Sequence, residues 1–422
     1  MSGALPVPEP GADAAAAWVA EHLADLVLEP RGGIAASPRF RGGQAAADAA
    51  LSGYRVAGYA AKRNHVLPPE RRGASALSPW IRHGLLPLPR VWDHVEGGPA
   101  RDVRKFRDEL LWQEYARHLY ARTGTANAAA LRYEPARASR RWPDPWPRDM
   151  ECVDANLTEL EQDGWLVNQT RMWLASQWTV RAGGEWNQGE DRFFAHLLDG
   201  SRAANRLGWQ WVVGAGTGKP YGFSRYQIRK RAPELCARCV HERACPIEGW
   251  PDAPRGGSVG AVAGVREDPD PDATAGPAEP ALSGPPPEAV WLTAESLGDA
   301  DPALAAHPDL PAVFVWDEPL LAGLSLSAKR LCFMAEALSE LATRRPVELW
   351  RGAPTEVLAG RALATTFAPV PGWRRRSAAL EPVAVHPWPW LVRPSAGSAQ
   401  SFSAWRKRAR VPERSGQLSV FS

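Results

Sequence analysis

The sequence lacks any run of about 20 apolar residues that could cross a membrane. It also lacks the basic segment and apolar stretch that begin a signal peptide, because Asp13, Glu21 and Asp25 interrupt the apolar residues near its start. The sequence has no large excess of charge of either sign. Its 50 Lys and Arg residues nearly balance its 47 Asp and Glu residues, which gives a net charge of +3. Any basic surface for a polyanion would have to be local. We therefore expect a cytoplasmic protein without membrane contact, in a reducing compartment where clustered cysteines favour metal over disulfide.

Cysteine is scarce and unevenly placed. Three of the five cysteines lie within LCARCVHERACPIEGW (235–250), where Cys236, Cys239 and Cys245 precede Pro246. Three thiolates this close in sequence predict a metal site that lacks one ligand. Thiolates bind both zinc and iron–sulfur clusters, so ligand type alone leaves the metal open, with His241 as a possible zinc ligand. Cys332 lies on the apolar face of a predicted helix and is expected in the core.

Tryptophan, in contrast, is abundant. The chain has 20 Trp residues beside 7 Tyr and 10 Phe. So much indole indicates a role in cofactor binding, stacking or electron transfer; the alternative is a helical core that uses tryptophan as filler.

Three regions follow from the patterns along the chain. Residues 1–250 are mainly helical; in ARDVRKFRDELLWQEYARHLYAR, one stripe carries Phe106, Leu110, Tyr115 and Leu119. Residues 251–288 are rich in Pro, Gly, Ala and Asp without an aromatic residue, which predicts a disordered linker. In residues 289–422, the predicted strands AVWLTAESL, PAVFVWDEP and PVELWRG alternate with the predicted helices SAKRLCFMAEALSELATR and APTEVLAGRAL. This alternation predicts a small parallel α/β sheet, followed by an irregular tail from Trp388.

Six segments of the helical region occur in the order and spacing of one known domain. They are FRGGQAAADAAL (40–51), YAAKRN (59–64), ASALSPWIRHG (74–84), ELLWQEYARHLY (109–120), CVDANLTELEQDGWLVNQTRM (152–172) and FFAHLLDGSRAANRLGWQW (193–211). Together they resemble the flavin-binding domain of the photolyase/cryptochrome family. The resemblance implies a mainly α-helical FAD-binding photolyase domain followed by a small α/β Rossmann-like domain.

The resemblance also implies which residues hold FAD. Tyr59, Ser75, Leu77 and Ser78 match the phosphate-side contacts. Arg171 and Asp199 match an ion pair packed against the isoalloxazine, and Asn205 matches the position beside flavin N5. Two cofactor-side positions depart from the family, because Gln113 replaces an arginine and Ser201 an acidic residue.

Lesion recognition is implied by residues beside the adenine of FAD. They are Glu109, Trp112, Asn168, Met172 and Trp211, and they match the set that receives a flipped cyclobutane pyrimidine dimer, with Asn205 completing the reacting end of the site. Val167 stands where enzymes that repair (6–4) lesions need a histidine, which argues against that substrate. For Trp112 and Trp211, the alternative is core burial.

For electron transfer and for DNA phosphate contacts, the resemblance leaves some of the residues open. Trp209 and Trp186 resemble the inner and middle members of the tryptophan chain that reduces photoexcited flavin, and the outermost member is open among Tyr133, Trp142 and Trp146. Gln113 and Gln169 each replace an arginine, which weakens expected phosphate contacts. Other basic residues could replace these lost phosphate contacts, or they could simply form a solvated surface. This basic set is Arg39, Arg41, Lys62, Arg63, Arg225, Arg229, Lys230 and Arg231.

Cys152 completes the cysteine set by resemblance. In one bacterial branch of the family, four cysteines hold a [4Fe–4S] cluster; one precedes a VDA-like helix and the others form a CxxC and a Cys-Pro. Here Cys152 precedes Val153, and Cys236, Cys239 and Cys245 supply the rest. This favours iron–sulfur over zinc.

The order of regions is inverted relative to the family. The segment after residue 288 resembles the antenna domain that usually comes first, and SFSAWRKRA (401–409) resembles the stretch that closes it. Whether it binds an antenna chromophore is open. The resemblance implies blue-light repair of cyclobutane pyrimidine dimers in UV-damaged DNA by a monomer; the alternative is a cryptochrome-like photoreceptor with a protein partner.

Overall fold

The computed structural model describes residues 3–28, 33–139 and 141–411. Helices dominate the first part of the chain. They are α1 (Ala12–His22), α2 (Gln44–Gly53), α3 (Tyr59–Lys62), α4 (Ser78–Arg82), α5 (Leu88–His94), α6 (Ala100–Thr123), α7 (Glu151–Asp163), α8 (Asn168–Ser176), α9 (Trp186–His196), α10 (Arg202–Val212), α11 (Arg225–Arg231) and α12 (Pro233–Ala237). Short 3₁₀ turns lie at Ala24–Leu26, Pro69–Arg71 and Gly124–Ala128, and a π turn at Gln177–Arg181 follows α8.

The longest helix, α6, forms the spine of the helical region. Its predicted stripe of Phe106, Leu110, Tyr115 and Leu119 is buried. The helix ends at Gly124, whose positive φ of 57° suits a residue without a Cβ. Near its start, the Asp102 carboxylate accepts hydrogen bonds of 2.8 Å from the amides of Gly58 and Ala60. These two bonds fix α3, and with it Tyr59, against the spine.

A seven-stranded sheet, six of whose strands come from the second part of the chain, has the order β1-β5-β4-β3-β6-β7-β2. Its strands are β1 (Gly3–Leu5), β2 (Ala281–Leu282), β3 (Ala289–Leu292), β4 (Ala312–Asp317), β5 (Val347–Gly352), β6 (Leu363–Thr366) and β7 (Ala384–His386). Its helices are α13 (Pro271–Ala275), α14 (Pro302–Ala306), α15 (Glu318–Leu324), α16 (Ala328–Ala342), α17 (Pro354–Val357), α18 (Pro371–Leu380) and α19 (Phe402–Arg406). The five strands β3 to β7 are parallel, as the sequence predicts, and the outer strands β1 and β2 pair antiparallel. All four residues of β3 are buried, which is typical of a parallel strand covered on both faces.

The structure differs from the expected region limits at the start of the chain. The expected helical region begins instead with β1, which pairs with β5 at the edge of the sheet, with Leu5 opposite Leu349. Helix α1 then packs against α16. The two regions therefore share one interface from the first residues onward. The three-residue strand could not be recognised from its local pattern, because its pairing partner lies far along the chain.

The structure also differs from the expected disordered linker at 251–288. The side chains of Asp268 and Thr274 are buried, and the guanidinium of Arg122 lies 3.3 Å from the Asp268 carboxylate. Asp270 caps α13 through the amide of Ala273. Composition predicted disorder because these residues bury little apolar surface, but polar contacts to α6 and strand pairing supply the order.

Two further observations concern the tail and the membrane. Up to residue 411, the tail is irregular except for α19, as expected, and it packs on α6. In the ranges that the structure describes, no helix is long and apolar enough to cross a membrane.

Candidate flavin site and cysteine cavity

The predicted ion pair is formed between α8 and the loop before α10. Arg171 donates from Nη2 to Asp199 Oδ2 at 2.8 Å and from Nε to the carbonyl of Leu166 at 2.9 Å. The side chain of Asp199 is only 6% exposed, so its charge is compensated mainly by this arginine. The second carboxylate oxygen, Oδ1, is buried and has no hydrogen-bond partner among the described residues.

Asn205, on α10, also has a buried polar atom without a hydrogen-bond partner among the described residues. Its side chain is buried, and Nδ2 has no partner within the described part of the chain. A buried donor or acceptor without a partner costs free energy, so such groups usually serve a ligand or an ordered water. One spare acceptor on Asp199 and one spare donor on Asn205 fit the polar edge of a flavin, which offers both N–H and carbonyl or ring nitrogen groups.

Of the predicted phosphate-side residues, Tyr59 lies on α3, which packs against α6, and the other three lie just before α4 or at its start. The ring of half-buried Tyr59 meets Phe106 edge-on at 5.0 Å, and burial and Glu109 raise the pKa of its hydroxyl. Between Ser75 and buried Leu77, Ala76 has a positive φ of 55°, a conformation that side-chain-bearing residues rarely adopt and that is found often at ligand sites. Ser78 begins α4, and its hydroxyl accepts from Trp165 Nε1 at 3.0 Å, which is a packing contact.

The predicted lesion-side residues lie on α6, α8 and α10. Glu109 is engaged by Lys105 Nζ at 2.7 Å and by Arg63 Nε at 3.6 Å. Asn168 is exposed, and its Nδ2 lies 3.5 Å from the sulfur of Met172 one turn later. This contact places the amide and the thioether side by side.

The two lesion-side indoles have different surroundings. Trp112 is half-buried and stacks on Phe402 with ring centroids 4.0 Å apart. Trp211 is 38% exposed and contacts the ring of Tyr221 at 5.5 Å. Core burial, the alternative to a binding role, therefore does not describe Trp211. The sequence interpretation missed both Phe402 and Tyr221, because only the folded chain brings them to these indoles.

Aromatic contacts lead away from Trp209. Its buried ring meets Phe193 at 5.2 Å, Phe193 stacks on Trp146 at 5.5 Å, and Trp146 meets Trp178 at 4.7 Å. Trp146 was one of three residues left open for the outermost position, and Trp178 was not considered. Trp186 begins α9 and is buried.

The residues of the basic set differ in whether a carboxylate lies close to them. Arg39, Arg41 and Arg225 each lie within ion-pairing distance of a carboxylate, whereas Arg229 and Lys230 are exposed on α11. The uncharged Gln169 is buried and donates to the Tyr221 hydroxyl at 2.9 Å. Of the basic set, Arg229 and Lys230 are thus better disposed for phosphate than the three paired arginines. Lys62 is exposed as well, whereas Gln113, Ser201 and Arg231 are half-buried.

The four predicted cysteine ligands line one cavity. Cys152 at the start of α7 faces Cys236, Cys239 and Cys245, and Met150 completes part of the wall. Burial raises the pKa of the Cys152 thiol, and the other three cysteines raise it further, so the four groups act on one another. His241 also lines the cavity, with Nε2 2.9 Å from Asp149 Oδ2. Within the described ranges, no group of three or more His, Cys, Asp or Glu side chains has the arrangement of a site for a single metal ion.

Part of the helical region is similar to a known domain. Residues 106–235 match the family model for the FAD binding domain of DNA photolyase. A deoxyribodipyrimidine photo-lyase of Vibrio cholerae is 32% identical over 167 residues, which cover 36% of this chain and 36% of the relative. A cryptochrome DASH of Gloeobacter violaceus is 28% identical over 236 residues, which cover 50% of this chain and 45% of the relative.

One solved structure was also compared. A bacterial class III photolyase from Agrobacterium tumefaciens aligns with 47% of this chain over 45% of its own length, at 26% identity and a TM-score of 0.40. In all three comparisons, the match spans less than half of the related protein. Through residues 106–235, the chain resembles the flavin-binding domain of the photolyase/cryptochrome family.

Proposed function

We propose that the chain repairs cyclobutane pyrimidine dimers in DNA under blue light. The observation that carries the proposal is the pair of buried, unpartnered groups, Asp199 Oδ1 and Asn205 Nδ2, within the region that matches the FAD binding domain of DNA photolyase. Reduced FAD would supply the light-driven electron that splits the dimer. The relatives named deoxyribodipyrimidine photo-lyase support this reaction for the chain.

Each proposed flavin contact has a defined task. Arg171 neutralises Asp199, so that the carboxylate can accept a hydrogen bond from the ring without a buried net charge. Asn205 donates its spare N–H at the other polar position. Tyr59, Ser75, Leu77 and Ser78, beside the strained Ala76, would bind the phosphate side.

The proposed substrate contacts come from exposed and half-buried side chains of α6, α8 and α10. Trp211 and Trp112 present aromatic surface on which extruded bases stack. Asn168 offers an amide and Met172 a polarisable thioether directly beside it. Glu109, held by Lys105, offers a carboxylate to base N–H groups. These four chemical types suit an apolar pyrimidine pair with polar edges.

A flavin photoreceptor without repair is the second candidate. Gln113 and Gln169 remove two positive charges that would contact phosphate, and Gln169 is occupied by Tyr221. The cryptochrome DASH of Gloeobacter violaceus is among the relatives. Weak binding to damaged DNA would favour this candidate.

We further propose that Cys152, Cys236, Cys239 and Cys245 hold a [4Fe–4S] cluster. The support is a set of four soft thiol donors around one cavity, in the one-pair-plus-two-singles spacing that differs from the two CxxC pairs of many zinc sites. Cys152 lies in the first turn of α7, Cys236 lies in α12, and Cys239 and Cys245 follow α12. A bound cluster would therefore tie two distant parts of the helical region together.

For the second region, we propose an antenna-like Rossmann fold placed after the flavin domain. Numbered in chain order, the parallel strands β3 to β7 take positions 3-2-1-4-5, an order typical of doubly wound sheets. The inverted order of regions is supported by the position of this sheet in the chain.

The proposal is tested by irradiation. Anaerobically reduced protein is mixed with an oligonucleotide that holds a thymine dimer and exposed to blue light, and restored thymine is measured by chromatography. We expect thymine to be restored in the light and not in the dark. No restoration by flavin-loaded protein, together with equal affinity for damaged and undamaged DNA, would favour the photoreceptor.

A further inference from the structure

The C-terminal segment reaches the proposed lesion site. Phe402, the first residue of α19, stacks on Trp112 with centroids 4.0 Å apart and an angle of 12° between the rings. Tyr115, on the next turn of α6, closes the cluster edge-on to both rings at 5.8 Å. One face of the Trp112 indole is therefore covered by a residue from the far end of the chain.

Hydrogen bonds fix this segment on α6. The Tyr115 hydroxyl donates to the carbonyl of Ala399 at 2.7 Å. Trp405, which is 6% exposed, donates from Nε1 to His118 Nδ1 at 3.0 Å. His118 Nδ1 thus accepts, so Nε2 carries the proton and donates to the carbonyl of Val392 at 2.7 Å. Burial lowers the pKa of His118 to about 3, which keeps the ring in this neutral form.

A carboxylate adds a second anchor on the same helix. Buried Glu114 accepts from the amides of Leu391 and Val392 at 2.7 and 3.0 Å and lies 3.1 Å from Arg117. Displacing the segment would leave several buried donors and acceptors without partners. The segment is therefore a fixed wall, not a removable plug.

We propose that Phe402 is a positioning residue that fixes the indole plane of Trp112, so that only the opposite face is open to a base. This inference rests on the proposed function, because it assigns that base to a damaged pyrimidine. Aromatic pairs stabilise one ring orientation beyond simple burial. Residues 391–409 would thereby complete a site whose other proposed members lie in the helical region.

The experiment uses flavin-loaded protein and three variants. Phe402→Leu keeps apolar volume but removes the ring, Phe402→Tyr keeps the ring, and Ser403→Ala changes the exposed neighbour. The first readout is the 19F spectrum of 5-fluorotryptophan-labelled protein, with the Trp112 resonance assigned through Trp112→Phe. We expect a single Trp112 resonance in wild type, Phe402→Tyr and Ser403→Ala, and a shifted or split one in Phe402→Leu.

The second readout is affinity for dimer-containing and undamaged oligonucleotides. Phe402→Leu should weaken binding of damaged DNA by between about twofold and tenfold, the range expected for one aromatic pair, while Phe402→Tyr retains it. An unchanged Trp112 resonance in Phe402→Leu, or tighter binding of damaged DNA, would overturn the inference. If wild type does not prefer damaged DNA, the proposed function fails, and the resonance alone decides whether Phe402 positions Trp112.

Discussion

Two buried aspartates, one in each region, have opposite surroundings. Asp301, in the α/β region, accepts hydrogen bonds at its Oδ1 from the amides of Ala303 and Leu304 and from the Thr366 hydroxyl. Asp199, in the helical region, uses one oxygen for Arg171 and leaves the other without a partner in the described part of the chain. Burial is nearly equal, with 6% of Asp301 and 9% of Asp199 exposed. At similar burial, the Asp301 bonds are therefore all made within the fold, whereas Asp199 keeps a buried oxygen that can accept a further hydrogen bond.

The cysteines repeat this contrast. Cys332 is fully buried in the apolar face of α16, as the sequence predicts. The four half-buried cysteines instead surround a cavity, where burial and then the neighbouring cysteines raise the pKa of the Cys152 and Cys236 thiols. A core thiol needs nothing further, whereas the cavity thiols would be stabilised by a bound cation.

The largest effect should come from removing one cavity thiol. Cys236→Ser should abolish iron binding and lower stability by several kcal/mol, because metal binding to structural cysteine sites contributes on the order of 10 kcal/mol. Cys332→Ser is the matched control and should keep full iron content. Metal analysis of anaerobically purified protein, with a thermal melt, checks both. Zinc in place of iron would contradict the cluster assignment.

A smaller loss of stability is expected when Arg171, the cation of the ion pair with Asp199, is removed. Arg171→Ala leaves the Asp199 charge buried and unpaired, which should cost about 3–5 kcal/mol of unfolding free energy and release flavin. Arg344→Ala breaks exposed pairs on the α/β region and should cost less than about 1 kcal/mol. Denaturant melts and flavin retention on a desalting column measure the two effects. Equal costs for the two variants would remove the contrast between the regions.

The buried Asp301 predicts that the stability of the fold depends on pH. Burial raises the pKa of Asp301 to about 6, above its unfolded value of 3.8. The stabilisation that comes from its protonated form is complete below the unfolded pKa and is lost as pH rises through about 6. Asp301→Asn keeps the three hydrogen bonds without the charge.

We therefore expect the variant to be more stable than wild type by roughly 1–3 kcal/mol at pH 7.5, with little difference at pH 4. Melting curves across this pH range test the sign. A variant that is less stable at pH 7.5 than at pH 4, relative to wild type, would show that the ionised form is the stabilising one.

The smallest expected effect is on the affinity for dimer-containing DNA. Trp112→Ala should weaken binding to dimer-containing DNA by about 1–3 kcal/mol, the usual contribution of one base stacked on an aromatic ring. Trp92→Ala provides a control on an indole covered by Arg107. Fluorescence anisotropy with a labelled duplex measures both. Unchanged affinity for Trp112→Ala would mean that this ring does not meet the lesion.

Local patterns predicted the elements that depend on local periodicity. The stripe from Phe106 to Leu119 gives α6, and the alternation around PAVFVWDEP and PVELWRG gives β4 and β5. Cys152 joined the CxxC pair as the family resemblance implied. The helix and the two strands were accessible because local spacing carries the information, whereas Cys152 was assigned through the resemblance alone.

Features that depend on distant partners were not accessible. Strand β1 exists because Leu5 meets Leu349, and the region 251–288 is ordered because Asp268 meets Arg122. Phe402 was assigned by resemblance to a stretch that closes the α/β region, yet its ring lies on Trp112. In each case, the partner is more than 140 residues away and leaves no local signal.

The most direct test of the account is the flavin content of the purified 422-residue chain. FAD released by denaturation is quantified by fluorescence, for wild type and for Asp199→Ala with Asn205→Ala. The account predicts about one FAD per folded wild-type chain and little or none in the double variant. A folded wild-type chain that neither retains nor rebinds FAD, or a double variant that binds it equally well, would contradict the claim that these two unpartnered groups await the flavin.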